Sequence, residues 1–228
     1  MNNFFQDIKG KLIVSCQHEE GSRFNNPESM ANFAYCAWQG GAAAIRTEGI
    51  DNVLAISKAT PLPIIGLVKS AFSDGSVLIT GTMQGVKNLA AAGCKVVAID
   101  GTFRLRQGMT GPEFIKKVKK ELGILVMADI DGIEEAEACF DAGADCVSTT
   151  LAGYTPKTQY VNHDLPDLEL LKILCQRHAH GIPVIAEGRF NTPQLAKTAI
   201  EIGAWAVVAG TAITRPLTIT KWFSDAIK

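Results

Sequence analysis

The sequence lacks the long apolar run that a membrane-spanning helix needs. Such a helix takes roughly 18 or more consecutive apolar residues, and every apolar run in this chain is much shorter. Residues 1–11 also lack the apolar core and the small-residue cleavage site of a secretory signal. These absences predict a protein that stays in the cytoplasm and does not bind membranes.

The sequence also lacks an excess of charge of either sign. It carries 22 basic and 23 acidic residues, for a net charge of −1. Proteins that bind nucleic acid neutralise its phosphates with a basic surface, so this balance argues against nucleic acid and anionic membranes as partners. An anionic small molecule would have to be held by local groups.

Signatures of metal and nucleotide sites are missing as well. The six cysteines are scattered without the paired spacing of a disulfide framework or a zinc site. The four histidines are His18, His163, His178 and His180, and the last two are too close in sequence to share a helix face. There is no Walker loop and no G-x-G-x-x-G after the first predicted strand. We therefore expect no metal, no nucleotide and no cofactor.

The sequence does contain a recurring pattern: a predicted helix, a glycine, and then an apolar strand. It appears at residues 39–46, 92–100, 142–149 and 202–210. A glycine after a helix supplies the left-handed cap, and the apolar run after it is typical of a strand that is buried on both faces. Alternation of this kind predicts parallel strands joined by helical crossovers.

The same patterns predict elements along the whole chain. The predicted strands are Leu12–Ser15, Ala43–Ile45, Ile64–Val68, Val96–Ile99, Leu125–Ala128, Cys146–Ser148, Pro183–Ala186 and Ala206–Ala209. Predicted helices include Met30–Gln39, Gly85–Ala92, Pro112–Leu122, Gly132–Ala142, Asp167–His180 and Pro193–Ile202. Eight strands in this length favour a closed barrel over an open sheet. Because no linker or composition shift divides the chain, we expect residues 1–228 to form one α/β domain, a (β/α)8 TIM barrel.

Polar residues follow the predicted strands, where the active site of a parallel barrel lies. They are Gln17, Arg46, Lys69, Asp100, Asp129, Thr149 and Glu187. Charged groups directly after buried strands are costly unless they are used or paired, so these positions are candidates for chemistry. The alternative is a set of salt bridges that only stabilise the rim, and it stays open above all for Asp100. Cys16 has no adjacent histidine to activate its thiol, which favours a structural role.

Two neighbouring loops combine glycine with arginine. Gly210 and Thr211 end the last strand with Arg215 close behind, and Gly188 and Arg189 follow the strand before it. Free backbone N–H groups at such turns bind anions, and barrel phosphate sites commonly use these two loops. We therefore favour a phosphate site here, although Gly210 could instead serve only a tight turn.

The ordered strand ends resemble those of the N-acylglucosamine-6-phosphate 2-epimerases. The residues that carry the resemblance are 15–17, 45–46, 65–69, 127–129, 149–155, 185–189 and 212–216. The resemblance runs from about Lys11 to Ile227. It implies conversion of N-acetylmannosamine 6-phosphate to N-acetylglucosamine 6-phosphate in bacterial sialic acid and amino sugar breakdown.

The resemblance also implies roles for individual residues. Lys69 would transfer the proton and Glu187 would be its catalytic partner. The sugar and its acetamido group would be held by Gln17, Arg46 and Asp129, with Thr149 also at the substrate. The phosphate would be surrounded by Gly188, Gly210, Thr211 and Arg215, and we add Arg189 from its position. The chain departs from the family at Ser70, where a basic residue is frequent, and at Thr211, where a second glycine is frequent.

Epimerisation at C2 is chemically reasonable for this set. In the open-chain sugar the C1 aldehyde acidifies the C2 proton, so that a base can remove it and a proton can return on the other face. Lys69 can act as a base only when neutral, and a free lysine has a pKa of about 10.4; burial and Arg46 would lower it, whereas Glu187 would raise it.

Two other functions remain open. One is an aldolase in which Lys69 forms a Schiff base, and the other is a phosphosugar-binding protein without catalysis. The sequence leaves both a monomer and a homodimer possible.

Overall fold

The computed structural model describes residues 3–19, 21–160, 164–178 and 181–228. The strands are β1 Leu12–Cys16, β2 Ala44–Glu48, β3 Ile64–Leu67, β4 Lys69–Ala71, β5 Val77–Ile79, β6 Val96–Asp100, β7 Val126–Asp129, β8 Cys146–Ser148, β9 Val184–Glu187 and β10 Ala206–Ala209. The helices are α1 Asn3–Ile8, α2 Pro27–Gln39, α3 Ile50–Ala59, α4 Met83–Ala91, α5 Gly111–Leu122, α6 Ile133–Asp141, α7 Leu168–Arg177, α8 Pro193–Ile202, α9 Thr211–Thr214 and α10 Pro216–Ala226. His163 and His180, and with His180 the end of the helix predicted for 167–180, lie outside the described residues.

Eight of these strands close into a barrel in the order β1-β10-β9-β8-β7-β6-β3-β2. Every neighbouring pair around the ring is parallel, which confirms the predicted (β/α)8 barrel. The register places Ser15 beside Arg46 and Asp100 beside Asp129. Polar residues from distant parts of the chain therefore lie at the same level near the carboxyl ends of the strands.

Alternation along the strands explains why these polar side chains face the barrel axis. One buried cluster contains alternate strand residues that fill the barrel, namely Ile13, Ala44, Leu67, Ala98, Met127 and Ile185. Because side chains two residues apart in a strand share a face, the next inward positions are Ser15, Arg46, Lys69, Asp100, Asp129 and Glu187. The apolar layer that packs the barrel thus continues directly into the polar layer at its rim.

Helix α1 closes the opposite end of the barrel. Its Phe4, Phe5 and Ile8 are buried and belong to the cluster that fills the interior. The indole Nε1 of Trp205 donates a hydrogen bond of 2.6 Å to the carbonyl of Phe5, which fixes the helix to the start of β10. The closed amino-terminal end leaves the carboxyl-terminal rim as the open one.

A hairpin that the sequence patterns did not predict follows β3. Strands β4 and β5 pair antiparallel, with Lys69 opposite Ile79. The turn of the hairpin contacts Arg104 of the loop after β6. Arg104 donates a hydrogen bond of 3.0 Å to Ser76 Oγ, and the Arg104 guanidinium lies 4.2 Å from the centre of the Phe72 ring. The hairpin that begins with Lys69 is therefore tied to the neighbouring loop.

The observed boundaries differ from the predicted ones by a few residues. Asp129 and Glu187 are the last residues of β7 and β9 rather than loop residues, and Arg46 lies inside β2. Helices α1, α3 and α10 were not among the predicted helices. Within the described ranges, no helix has both the length and the apolar character needed to cross a membrane.

Candidate active site

An open cavity of about 290 Å³ lies at the carboxyl-terminal rim of the barrel. The predicted site residues that line it are Gln17, Arg46, Lys69, Glu187, Gly188, Arg189, Gly210, Thr211 and Arg215. The remaining wall residues are Ser15, Val77, Ile79, Thr150, Leu151, Tyr154, Phe190, Asn191 and Val208. The structure thus brings most of the predicted set, drawn from five barrel strands and the segments that follow them, to one cavity.

Arg46 forms the floor of the cavity and joins two carboxylates. Its Nη2 lies 2.6 Å from Asp129 Oδ2, and its Nη1 donates to Asp129 Oδ1 at 3.1 Å. Its Nε is 3.1 Å from Glu187 Oε1, an ion-pair distance without the alignment of a hydrogen bond. Burial by itself would lower the pKa of Arg46, but Asp129 and Glu187 more than offset this and hold the pKa above its ordinary value. Arg46 is a fixed cation.

The two carboxylates are held in a desolvated environment. Asp129 is fully buried, and the Glu187 side chain is 11% exposed at the cavity. Burial raises the pKa of Asp129 and of Glu187, and the nearby Arg46 cation only partly counters it. Asp129 also raises the pKa of Glu187, and Asp100 raises the pKa of Asp129, since carboxylates repel when both are charged. Both carboxyls are therefore shifted toward their protonated forms.

Lys69 lies on the opposite side of the cavity. It is exposed to the cavity, yet partial desolvation by the surrounding protein lowers its pKa from the usual value, and the Arg215 and Arg46 cations lower it further. Glu48 and Glu187 act in the other direction without reversing the shift. The balance that the sequence left open therefore shifts Lys69 toward the neutral amine.

Lys69 and Glu187 face each other across the barrel. One residue separates Lys69 from the end of β3, and Glu187 is the last residue of β9. In the ring order these two strands are separated by four steps in either direction, so they occupy opposite positions. A small molecule bound between them presents one face to each group.

Glycines shape the side of the cavity near β9 and β10. Gly188 has a φ of +101°, a conformation that side-chain-bearing residues rarely adopt. At Gly210 an added Cβ would lie 3.1 Å from Ser15 Cβ, so a larger residue would crowd the end of β1. Thr214 Oγ1 donates to the Ser15 carbonyl at 3.0 Å and holds the turn after Gly210 in place. Both loops bring bare backbone to the cavity, with Arg215 beside them.

Arg189 supports the wall through the loop after β8. Its Nε donates to Leu165 O at 2.8 Å and its Nη2 to Ala152 O at 2.7 Å, while its guanidinium lies 4.9 Å from the Tyr154 ring centre. Its Nη1 has no hydrogen-bond partner within the described part of the chain. An added Cβ at Gly153 would come within 2.9 Å of that nitrogen. Two of the three guanidinium nitrogens thus hold the loop.

Two predicted substrate contacts do not line the cavity. Asp129 lies beneath the floor, bonded to Arg46. Thr149 Oγ1 donates to the Glu187 carbonyl at 2.8 Å and accepts from the Glu187 N–H at 3.1 Å. Both residues therefore contact groups that line the cavity and fix the position of Glu187 or Arg46.

Asp100 and Cys16 are structural. The Asp100 carboxylate is buried and accepts hydrogen bonds from Arg104 at 2.7 Å and Arg106 at 2.8 Å, in accord with the rim salt bridge that the sequence left open. Cys16 is fully buried, and burial raises the pKa of its thiol to about 12. The thiol is therefore not a nucleophile at neutral pH.

Sequence reasoning missed wall residues that come from the hairpin and from the loop after β8. Val77 and Ile79 of β5 form an apolar part of the wall, but their strand is only three residues long. Thr150 and Tyr154 lie within the segment 149–155 that carries the family resemblance, yet no specific role followed from the sequence. In the parts of the chain that the structure describes, no three His, Cys, Asp or Glu side chains are grouped to hold a metal.

Comparisons with known proteins agree on one family. The family model described as "Putative N-acetylmannosamine-6-phosphate epimerase" matches residues 30–228. A Clostridioides difficile protein named "Putative N-acetylmannosamine-6-phosphate 2-epimerase" is 43% identical over 221 residues, which cover 97% of each sequence. A Pasteurella multocida protein of the same name is 44% identical over 223 residues, 98% of this chain and 94% of the relative.

Solved structures give the same result. The N-acetylmannosamine-6-phosphate 2-epimerase from Clostridium perfringens has a TM-score of 0.90 and 41% identity, and the match covers 99% of this chain and 96% of that one. A thiamine phosphate pyrophosphorylase from Pyrococcus furiosus has a TM-score of 0.62 at 16% identity, over 93% and 90% of the two chains. The second likeness shows a shared fold alone.

Proposed function

This chain belongs to the N-acetylmannosamine-6-phosphate epimerase family, and we propose that it interconverts N-acetylmannosamine 6-phosphate and N-acetylglucosamine 6-phosphate. The observation that carries the mechanism is the placement of Lys69 and Glu187 on opposite sides of one cavity. Inversion of a carbon needs proton removal on one face and proton return on the other. Two groups that face each other across the substrate supply both.

The chemistry proceeds through the open-chain sugar. Its C1 aldehyde acidifies the C2 proton, because the electron pair left behind is delocalised onto the aldehyde oxygen. Neutral Lys69 takes the proton from C2, and protonated Glu187 gives a proton to the opposite face. The reverse reaction exchanges the two roles. Each proton transfer is general acid–base catalysis, which typically contributes about 10²–10⁴-fold.

The lowered pKa of Lys69 suits this step. A bound substrate would displace water from the cavity and desolvate the amine further, and Arg46 and Arg215 remain nearby as fixed positive charges. Desolvation and neighbouring cations both favour the neutral form of an amine. The same cations would stabilise the negative charge of the enolate and of the phosphate.

We propose that the phosphate lies against the loops after β9 and β10. Gly188, Gly210 and Thr211 bring backbone to the cavity there, and Arg215 adds a positive charge. A charged phosphate is well matched by backbone N–H groups together with an arginine. Gln17 lines the same cavity and would hold a sugar hydroxyl or the acetamido group, and Arg189 would add its positive charge to the phosphate side.

NMR of N-acetylmannosamine 6-phosphate with the protein tests the activity directly. We expect signals of N-acetylglucosamine 6-phosphate to appear until the two sugars reach equilibrium. Cleavage of a carbon–carbon bond, or covalent trapping of substrate on Lys69 by borohydride, would instead indicate the Schiff-base aldolase. Tight binding without any conversion would indicate a phosphosugar-binding protein.

We further propose that residues 1–228 act as one barrel domain in a homodimer. Among the residues that the structure describes, α10 packs none of its side chains into a buried position. Leu217, Trp222 and Phe223 are 58%, 42% and 73% exposed, and exposed apolar clusters commonly mark protein interfaces. Sedimentation of the wild type and of Phe223→Glu tests this: the wild type should be a dimer and the variant a monomer.

The substrate also suggests the cellular context. A sugar phosphate is charged and does not cross a bilayer unaided, because transfer of a charge into an apolar phase is costly. We therefore propose that the protein acts in the cytoplasm on amino sugars released by sialic acid breakdown, without cofactor, nucleic acid or membrane partners. Activity of the soluble fraction of a cell lysate, lost on deletion of the gene, would support this.

A further inference from the structure

We propose that Thr150 is a positioning residue that places the one proton shared by Asp129 and Glu187 on the Glu187 carboxyl. This inference deepens the proposed function, because it explains how Glu187 is ready to act as the acid. Thr150 itself follows β8 in a short turn, Thr149–Leu151, and lines the cavity.

The Thr150 hydroxyl bridges the two carboxylates. Its Oγ1 lies 2.8 Å from Asp129 Oδ1 and 3.0 Å from Glu187 Oε2. The same oxygen is 2.8 Å from Ser148 Oγ, which is itself 3.2 Å from Glu187 Oε2. These are four oxygen–oxygen contacts of hydrogen-bond length, and each of them includes Thr150 Oγ1 or Glu187 Oε2.

If both carboxylates are ionised, too few protons are present to make all four contacts hydrogen bonds. A hydroxyl carries one proton and can donate one hydrogen bond. Thr150 and Ser148 together supply two protons for four contacts. If Thr150 donates to Asp129, its oxygen lone pairs face an ionised Glu187 oxygen 3.0 Å away with no proton between them. A proton on Glu187 Oε2 resolves this, since Glu187 then donates to Thr150 and Thr150 donates to Asp129.

The charges of the site also favour one proton on this pair of carboxylates. Among the residues that the structure describes, Arg46 is the single cation bonded to this pair, whereas two ionised carboxylates carry two negative charges in a buried site. One added proton leaves one anion against one cation. Burial raises the pKa of both carboxyls, as expected where a second negative charge is poorly solvated.

The contacts indicate that the proton belongs to Glu187 rather than to Asp129. Asp129 accepts two aligned hydrogen bonds from Arg46 and is fully buried beneath it. From Arg46, Glu187 receives no aligned hydrogen bond, only the Nε contact, and it reaches the cavity. Hydrogen bonds to the charged form favour that form, so Asp129 stays ionised. The other described titratable or charged groups around this pair are Lys69, Asp100, Cys139 and Cys146.

Protons and electrons balance in the resulting step. Lys69 takes the C2 proton, the C2–H electron pair moves onto the aldehyde oxygen, and it returns to C2 as Glu187 delivers its proton to the opposite face. The enzyme then holds a protonated Lys69 and an ionised Glu187, which accepts a hydrogen bond from Thr150 until solvent restores the starting state. Thr150 thus stabilises the acid form before the step without touching the reacting carbon.

Infrared spectroscopy of the ligand-free protein tests the protonation state without any turnover. We expect a protonated-carboxyl band near neutral pH that shifts in heavy water and disappears in Glu187→Gln. In Thr150→Val the protonated form loses two hydrogen bonds and the ionised form loses one, so the band should titrate away about one pH unit lower, the size of one hydrogen bond. Thr150→Ser keeps the hydroxyl and should titrate like the wild type.

Thr47→Val is the control, because Thr47 is a buried threonine near the rim whose hydroxyl donates to the Cys16 carbonyl. It should leave the band unchanged; if Thr150→Val does not fold, Thr150→Ala takes its place. The alkaline limb of kcat/KM should move in the same direction as the band, with little change in KM. A missing band in the wild type, an unshifted band in Thr150→Val, or an upward shift overturns the proposal. A correct band in a protein that does not convert the sugar would refute the proposed function and leave this inference standing.

Discussion

Arg46 and Asp129 form a two-pronged ion pair at the floor of the barrel, with nitrogen–oxygen distances of 2.6 and 3.1 Å. Neither side chain is more than 1% exposed. Their strands are β2 and β7, so the pair crosses the interior of the barrel just above its apolar filling. It fixes the cation around which Lys69 and Glu187 are arranged.

We expect Asp129→Asn to destabilise the protein by about 3–5 kcal/mol, since removal of one partner leaves a buried charge without compensation. Unfolding in denaturant, followed by circular dichroism, measures the loss. Glu137→Gln, which breaks an exposed pair with Arg177, is the control and should cost about 0–1 kcal/mol. Equal stability of Asp129→Asn and the wild type would contradict the role given to this pair.

Arg215→Ala should weaken binding of the phosphorylated sugar. Loss of one charged hydrogen-bond partner costs about 1.5–3 kcal/mol, which corresponds to about 10–150-fold in Kd. Unphosphorylated N-acetylmannosamine should bind weakly and equally to both proteins. Calorimetry with the two sugars measures this, with Arg177→Ala as an exposed-arginine control. An equal loss for both sugars would place the phosphate elsewhere.

The same substitution should shift the pH dependence of the reaction. Arg215 is the largest charge effect that lowers the pKa of Lys69, and Lys69 must be neutral to take a proton. Without Arg215 the pKa of Lys69 rises, so the neutral form appears only at higher pH. The acid limb of kcat/KM should therefore move to higher pH. Movement to lower pH, or none, would separate Lys69 from that limb.

Arg104→Ala should reduce turnover although Arg104 does not line the cavity. Arg104 links buried Asp100 to Ser76 and Phe72 of the hairpin that begins with Lys69. A displacement of about 1 Å in a reacting group can cost about 100-fold, so we expect kcat to fall by up to about that factor with a smaller effect on KM. Steady-state kinetics measure both. An unchanged kcat would show that the hairpin needs no such support.

The strand-end rule selected residues that line one cavity because strands have a period of two. Ala44 fills the barrel and Arg46 follows it at the rim, and the same relation holds between Ile185 and Glu187. The apolar runs predict where each strand lies. The polar residue two positions after the last inward apolar residue then points to the same face, toward the barrel axis. For this reason the fold and the residues at the rim could be predicted from the sequence.

Tertiary contacts decided what the sequence did not. The hairpin strand Lys69–Ala71 is exposed throughout, so no apolar alternation marks it. Asp129 and Thr149 were expected at the substrate, yet hydrogen bonds to Arg46 and to the Glu187 backbone place them behind the wall. These partners are distant in sequence, and their distance from the cavity depends on side-chain direction rather than on residue type.

Activity should survive thorough chelation and require no nucleotide. The proposed step uses only Lys69, Glu187 and fixed arginines, and general acid–base groups need no metal to move a proton. Turnover measured after dialysis against a chelator should equal that of the untreated protein. Loss of turnover that a defined divalent metal restores would contradict the proposed step.

In the proposed reaction Lys69 moves the C2 proton, and turnover in heavy water follows that transfer by the isotope at C2. NMR should show deuterium at C2 of the product formed by the wild type and by Lys58→Ala, a control on α3 outside the cavity. Lys69→Ala should fold normally but give neither exchange nor epimerisation, and Lys69→Arg should also fail, because a guanidinium remains charged. Complete turnover without deuterium at C2, or near-normal activity of Lys69→Ala, would contradict the account.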